Sequence, residues 1–180
     1  EYQILISRNE NLRFGLVVCD VNNLKIINDT MGHKAGDELL QSVCSLLHNT
    51  FSHSTIYRVG GDEFVILLKD KDYRDRIDLF NGLRQTILNN QNADEGPVVA
   101  TGMSIYERGT DKKISDVFER ADEEMYADKE RLKEYVARLN VNQSEYDKVQ
   151  KIPAIRKARL DSFFSPPSEC AAGPDHGGIS

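Results

Sequence analysis

Two apolar runs separated by a very short turn constrain the fold of this chain more than any other feature. The runs cover residues 55–59 and 64–68, and the sequence Gly-Gly-Asp-Glu at 60–63 lies between them. Strands joined by so short a turn must pair antiparallel, so this segment predicts a β-hairpin.

The rest of the chain alternates between strand and helix patterns. Strands are expected at 14–19, just before Asp20, and at 98–105. Helical segments are expected at 24–28, from Asp37 onward, at 73–88 and at 114–139. Because helix crossovers favour parallel strand pairs and the hairpin is antiparallel, we expect an α/β fold (an α+β sandwich). Its ferredoxin-like, nucleotide-cyclase-like mixed central sheet would be covered by helices.

The composition argues against two classes of function, nucleic-acid binding and membrane binding. The 180 residues carry a formal net charge of -6, whereas nucleic-acid or membrane-surface binders need a basic face. No apolar run reaches the length of a membrane span, and no signal peptide is visible. We therefore expect a cytoplasmic domain that contacts neither nucleic acid nor membrane directly. Cys19, Cys44 and Cys170 are expected to be free thiols, with Cys19 and Cys44 as small core residues.

Acidic residues stand where the predicted strands end. Asp20 closes the first strand, and Asp62 and Glu63 lie in the hairpin turn. Carboxylates at the ends of neighbouring strands could converge on Mg²⁺, a hard cation that prefers oxygen ligands. Glycines in the turn would let a phosphate approach the backbone closely. The plainer alternative is a solvated acidic turn, since Asp and Gly are common turn residues.

The string Gly-Gly-Asp-Glu-Phe at 60–64 resembles the signature of the GGDEF family, whose active members are diguanylate cyclases. The similarity covers roughly residues 1–135 and extends to other segments in family order. These are Asp-Val-Asn-Asn-Leu-Lys at 20–25, Asn-Asp at 28–29, Gly-His at 32–33, Gly-Asp-Glu at 36–38, Ala-Asp at 121–122, and Met-Tyr with its following lysine at 125–129.

The resemblance implies a catalytic and metal-binding role for the acids. Asp62 and Glu63 are the implied catalytic residues, and Asp62 is also the candidate base for an attacking 3′-hydroxyl. Asp20, Asp62, Glu63 and the carbonyl of Val21 would hold Mg²⁺, for which Mn²⁺ is a possible substitute. Metal activation of the hydroxyl is expected to matter more than a strong base, because a metal-bound carboxylate is a poor one.

The resemblance also implies the substrate contacts. Asn28 and Asp37 would bind the guanine edge, although Asp37 has the alternative role of helix N-cap. The implied contacts to the triphosphate are Lys25, Gly60, Gly61, Lys129 and Lys133. Lys129 taken alone could equally be a solvated helix lysine. His33 is expected to support the loop rather than bind metal, because it has no partner ligand.

Two departures from the family pattern carry expectations of their own. Lys133 stands where many members have an arginine, and the turn glycine before it is missing, so the helix is expected to continue. The segment Phe-Ser-His-Ser at 51–54 lacks the Arg-x-x-Asp of the product-inhibition site. We therefore expect no tight binding of product at that segment.

Taken together, the sequence is interpreted as a diguanylate cyclase of bacterial second-messenger signalling. Two GTP molecules would condense to cyclic di-GMP and two pyrophosphates at a homodimer interface. One alternative is an inactive GGDEF module that binds GTP or cyclic di-GMP and regulates a partner. Another is an unrelated Mg²⁺-dependent cyclase or polymerase palm, which would leave Asn28 and Asp37 unexplained.

The domain is expected to cover residues 1–140 and to be truncated at its N-terminus. A helical extension is expected at 141–164, and a disordered tail rich in Pro, Gly and Ser at 165–180. We expect an upstream sensor or dimerisation region in the full-length protein, which could also anchor it to a membrane.

Overall fold

The computed structural model describes residues 12–93 and 95–147. The strands are β1 (Gly15–Val21), β2 (Thr55–Arg58), β3 (Glu63–Leu68) and β4 (Val99–Ile105). The helices are α1 (Leu24–Met31), α2 (His33–Thr50), α3 (Asp70–Arg74), α4 (Arg76–Ala93) and α5 (Ile114–Asp147). The expected tail at 165–180, and the expected extension beyond residue 147, lie outside the described residues.

The four described strands form one sheet in the order β2-β3-β1-β4. Every neighbouring pair in it is antiparallel, so the ferredoxin-like sandwich is confirmed but the expectation of a mixed sheet was wrong. The reason is that strands joined by a helix crossover are not neighbours here. β1 and β2 run in the same direction, but β3 lies between them and pairs with both.

The core is built around β1, whose seven residues are all buried. Helix α5 packs on β4 and β1 through an apolar stripe at helical spacing, which includes Val117, Ala121, Met125 and Leu132. Helix α2 contributes a second stripe with Leu39, Leu40, Val43 and Leu47. Each fully buried aliphatic side chain stabilises the fold by about 1.5–3 kcal/mol relative to exposure.

Two local expectations need correction. Helix α2 begins at His33, so Asp37 lies inside the helix and is not its N-cap. Gly32 separates the two helices: its N–H donates to the carbonyl of Asn28 at the end of α1, and α2 starts at the next residue. The helix expected at 73–88 is divided at Asp75 into α3 and α4.

The cysteines differ in their environment. Cys19 is buried as expected, whereas Cys44 is exposed, because the buried stripe of α2 passes through the adjacent Val43. Burial raises the pKa of the Cys19 thiol, and the nearby carboxylates of Asp128 and Asp20 raise it further. Cys19 is therefore an inert core thiol.

The long final helix continues past Lys133 to Asp147, which confirms that the missing glycine turn leaves the helix unbroken. Despite this length it is polar, and none of the helices in the described ranges combines the length and apolar character that a membrane span needs.

Candidate active site

Asp20 and Glu63 lie directly opposite each other across the β1–β3 pair. Residues directly opposed in an antiparallel pair project their side chains from the same face of the sheet. Asp20 is largely buried, with 7% of its surface exposed, whereas Glu63 at the start of β3 is exposed. Two of the predicted acids therefore share one face at the end of β1.

Asp62 is joined to the same strand end through its backbone. The N–H of Val21 donates to the carbonyl of Asp62 at 2.8 Å, and the Asp62 residue itself is exposed. This hydrogen bond continues the β1–β3 ladder into the hairpin. The hairpin turn is thus held against the two residues, Asp20 and Val21, that the resemblance assigns to the metal.

The glycines of the turn shape the space around these acids. The Oε2 atom of Glu63 lies 2.8 Å from the point that a Cβ on Gly60 would occupy, so a side chain there would collide with the carboxylate. Around Gly61 no atom lies within 4 Å of the equivalent point, while its carbonyl accepts a hydrogen bond from Arg58 at 2.7 Å. The turn is therefore anchored from one side and open at Gly61.

Helix α5 brings a cation to the acid of β1. The Nζ atom of Lys129 donates to Oδ1 of Asp20 at 2.7 Å, and the side chains are 30% and 10% exposed. Lys133 instead pairs with Glu130 at 2.7 Å, and this ion pair raises the pKa of the Lys133 ammonium. Lys129 and Lys133 are four residues apart in α5, a spacing that places them on the same face of the helix.

The predicted guanine-binding residues come from α1 and α2. Asn28 packs against the backbone of α2 at Gly36, where its Oδ1 lies 2.0 Å from the position of a Cβ on that glycine. Asp37, the next residue, is exposed and lines a cleft of about 680 Å³ between α2 and the β2–β3 hairpin. Lys25 is exposed in the first turn of α1, as is His33 at the start of α2.

The donor atoms suit a hard divalent cation, since carboxylate and backbone oxygens are the ligands Mg²⁺ prefers. Asp20 already accepts one cation, the Lys129 ammonium, on its Oδ1. Among the residues that the structure describes, no three Asp, Glu, His or Cys side chains lie close enough together to hold a metal ion. The donor types suit the predicted ion, but its binding would require Lys129 to leave Asp20 and the hairpin acids to approach the metal.

One residue of the site region was missed at the sequence level. Asp128 is 5% exposed and lies on the buried stripe of α5, between Met125 and Leu132. It accepts from the backbone N–H of Thr101 and from Arg84, each at 2.9 Å. The sequence could have indicated that Asp128 is paired, because an acid at a core-facing helix position needs a partner. It could not have identified that partner as Arg84, which is 44 residues away.

The segment at 51–54 is tied to helix α3. Asp72, which is buried, accepts from the backbone N–H of His53 and from the hydroxyl of Ser54, both at 2.8 Å. The His53 Nδ1 atom lies 3.1 Å from the other oxygen of the same carboxylate. Phe51 is fully buried. Asp72 and the buried Phe51 thus anchor the segment, while Ser52 and His53 remain exposed.

Comparison with known sequences supports the family suggested by the motifs. The family model described as "Diguanylate cyclase, GGDEF domain" matches residues 1–134. A diguanylate cyclase of Vibrio cholerae is 31% identical over 131 residues, which are 70% of this chain and 40% of that protein. Diguanylate cyclase DgcZ of Escherichia coli is 39% identical over 61 residues, 33% of this chain and 21% of the relative. This chain thus spans about two-fifths of the Vibrio cholerae relative and less of DgcZ.

Solved structures agree with the sequence comparison. The active GGEEF domain of a diguanylate cyclase from Vibrio cholerae superposes with a TM-score of 0.60 at 28% identity, covering 72% of this chain and 85% of that one. A microbial GGDEF domain studied with bis-(3,5)-cyclic di-GMP gives 0.51 at 30% identity, covering 71% and 79%. With the family model matched over residues 1–134 and the same fold in these domains, the chain belongs to the GGDEF family.

Proposed function

We propose that this domain is a diguanylate cyclase that condenses two GTP molecules into cyclic di-GMP and two pyrophosphates. The observation that carries the proposal is the opposition of Asp20 and Glu63 across β1 and β3, with Asp62 hydrogen-bonded to Val21 beside them. Support also comes from the diguanylate cyclases among its relatives. The domain would act in the cytoplasm, where GTP is available, under an upstream sensor or dimerisation region.

The metal ligands in this proposal are the carboxylates of Asp20, Asp62 and Glu63 and the carbonyl of Val21. Bound Mg²⁺, or Mn²⁺ in its place, supplies charge neutralisation for the triphosphate and acidity for the attacking hydroxyl. The buried position of Asp20 fixes one ligand in advance. Asp62 and Glu63 are exposed at the hairpin, where an incoming nucleotide and its metal would meet them.

The nucleotide would be held at its two ends by different elements. Asn28 and Asp37 would bind the guanine, because an amide and a carboxylate together match the acceptor and donors of its edge. A carboxylate at position 37 also disfavours adenine, which lacks the pair of donors. The triphosphate contacts would be Lys25, Gly60, Gly61, Lys129 and Lys133, with the open backbone at Gly61 allowing close approach.

Two domains are needed to complete the reaction. In each, the 3′-hydroxyl of one GTP attacks the α-phosphate held by the other domain. Two phosphodiester bonds form, two pyrophosphates leave, and each hydroxyl gives up its proton, with Asp62 as the candidate acceptor. A two-fold homodimer that faces the β1 ends toward each other would satisfy this symmetry.

A second candidate, a GGDEF module that binds nucleotide without turnover, has one observation in its favour. Lys129 pairs with Asp20, the first proposed metal ligand, and so occupies it with a cation of the chain itself. Such a module would bind GTP or cyclic di-GMP and regulate a partner. The two candidates differ in whether product is made.

The test is to incubate the protein with GTP and Mg²⁺ and to separate the nucleotides by chromatography. We expect cyclic di-GMP from the parent protein and none from Asp62→Ala. A fusion to a dimeric coiled coil excludes poor dimerisation as the cause of a negative result. GTP binding without product in that forced dimer would refute the cyclase proposal and support the binding module.

A further inference from the structure

The Lys129–Asp20 ion pair has properties that an exposed surface pair lacks. The Nζ–Oδ1 distance is 2.7 Å, and Asp20 is 10% and Lys129 30% exposed at the side chain. Partial burial reduces screening by solvent and salt, and a short charge-assisted hydrogen bond is stronger than a neutral one. The carboxylate proposed as the first metal ligand is therefore already neutralised by a cation from this chain.

The neighbouring residue holds Lys129 in this position. Asp128 is buried and bonded to the β4 backbone at Thr101 and to Arg84 on α4. These contacts fix the turn of α5 that carries Lys129. Because Ala100, adjacent to Thr101, pairs with Asp20 in the sheet, the same strand positions both partners of the ion pair.

Lys133, the other lysine on this face of α5, has a different ion-pair partner. Lys133 pairs with Glu130, on its own helix, and its side chain is 60% exposed. Its charge is thus compensated locally, whereas the charge of Lys129 is compensated by Asp20. A metal ion that binds Asp20 would therefore displace the ammonium group of Lys129 and not that of Lys133.

We infer that Lys129 is the resting counter-ion of Asp20 and couples metal binding to nucleotide binding, an inference that rests on the proposed function of this site. A divalent cation that arrives alone must displace an ammonium and leave it beside a metal of like charge. When a triphosphate arrives with the cation, its oxygens receive the displaced ammonium. Metal and nucleotide therefore bind cooperatively, and each tightens the other by the same factor.

The test measures Mn²⁺ binding without nucleotide, by titration calorimetry and by the loss of free Mn²⁺ signal in electron paramagnetic resonance. We expect Lys129→Gln to bind Mn²⁺ about tenfold more tightly than the parent, the factor corresponding to a charge-assisted hydrogen bond. Lys129→Met, which keeps the aliphatic stem, should tighten binding similarly. Lys129→Arg should remain as weak as the parent because it keeps the charge.

Lys133→Gln is the matched control, because it removes the same charge from the same helix face without breaking the pair with Asp20. We expect it to change Mn²⁺ affinity far less than Lys129→Gln. Equal tightening by both would mean that general electrostatics, not the ion pair, sets the affinity. Unchanged or weaker Mn²⁺ binding by the Gln and Met variants, including no detectable binding by any protein, would overturn the inference.

A second arm repeats the titrations with the unreactive analogue guanosine 5′-(α,β-methylene)triphosphate. The analogue should tighten Mn²⁺ binding more in the parent than in Lys129→Gln, because only the parent has an ammonium to transfer. Product assays separate this inference from the proposed function. Normal GTP turnover with no Mn²⁺ effect refutes the coupling alone, and the Mn²⁺ effect without turnover refutes the cyclase alone.

Discussion

The side-chain oxygen of Asn28 lies 2.0 Å from where a Cβ on residue 36 would stand, so Gly36 and Asn28 form one closely packed unit between α1 and α2. A side chain at position 36 would have to move Asn28. Asn28 is the proposed guanine contact. Gly36 therefore positions the residue that binds guanine without contacting the substrate itself.

Gly36→Ala is therefore predicted to raise the KM for GTP by about tenfold, the loss of roughly one hydrogen bond to the base. Steady-state kinetics of cyclic di-GMP formation would measure it. Gly82→Ala is the matched control: it is also helical and meets no atom within 4 Å. An unchanged KM in Gly36→Ala, or an equal rise in Gly82→Ala, would contradict the assignment of Asn28.

Asp128 is predicted to stabilise the junction of α5, β4 and α4. Asp128→Ala leaves the buried N–H of Thr101 without its acceptor, so we expect a loss of about 1–3 kcal/mol in the free energy of unfolding. Asp128→Asn keeps an acceptor oxygen and should lose less. Urea denaturation measures both, with the exposed Glu123→Ala on the same helix expected to change stability by less than about 0.5 kcal/mol. Equal effects of the three substitutions would contradict the role of Asp128.

The pair of Asp111 with Arg120 predicts a pH dependence of stability. Two hydrogen bonds from the Arg120 guanidinium, one of 2.9 Å, lower the pKa of the Asp111 carboxyl. A carboxyl with a lowered pKa stabilises the fold above its ordinary pKa, about 3.9, and loses that contribution as pH falls through the lowered value.

Asp111→Asn should therefore be less stable than the parent at pH 7, and the difference should shrink as the pH falls below about 4. Thermal unfolding of both proteins between neutral and acid pH would show it. A difference that stays constant, or grows, on acidification would contradict this account of the loop between β4 and α5.

Much of this fold was predictable because local patterns are strong. The glycine hairpin, the apolar run before Asp20 and the apolar segment at 98–105 predicted all four described strands. Local pattern failed where long-range pairing decides. Because β3 lies between β1 and β2, the sheet is antiparallel. Helix α2 likewise begins directly after Gly32 and not at Asp37.

The site divides in the same way. Motif spacing predicted the acids at the end of β1, and their shared face follows from the strand register. The partners that hold the site are far apart in sequence: Lys129 lies 109 residues from Asp20, and Asp128 lies 27 from Thr101. Pairing at such separations is set by packing of the whole domain, which local periodicity does not encode.

At the segment 51–54 we predict that cyclic di-GMP does not bind with submicromolar affinity. His53 and Ser54 are engaged by the buried Asp72, and the charged pair of the family site is absent. Titration calorimetry with cyclic di-GMP on the parent and on His53→Ala measures it. A submicromolar affinity in the parent that His53→Ala removes would contradict this prediction.

The rate of cyclic di-GMP formation by a coiled-coil-tethered dimer, with and without the carboxylate of Asp20, tests whether this carboxylate is needed for catalysis. We expect product from the parent and a loss of at least about a hundredfold in Asp20→Asn, since one proposed metal ligand is removed. Asp75→Asn, which removes the same charge from an exposed pair with Lys71, should keep the parent rate. Equal rates for Asp20→Asn and the parent, or no product from either, would refute a cyclase that depends on Asp20.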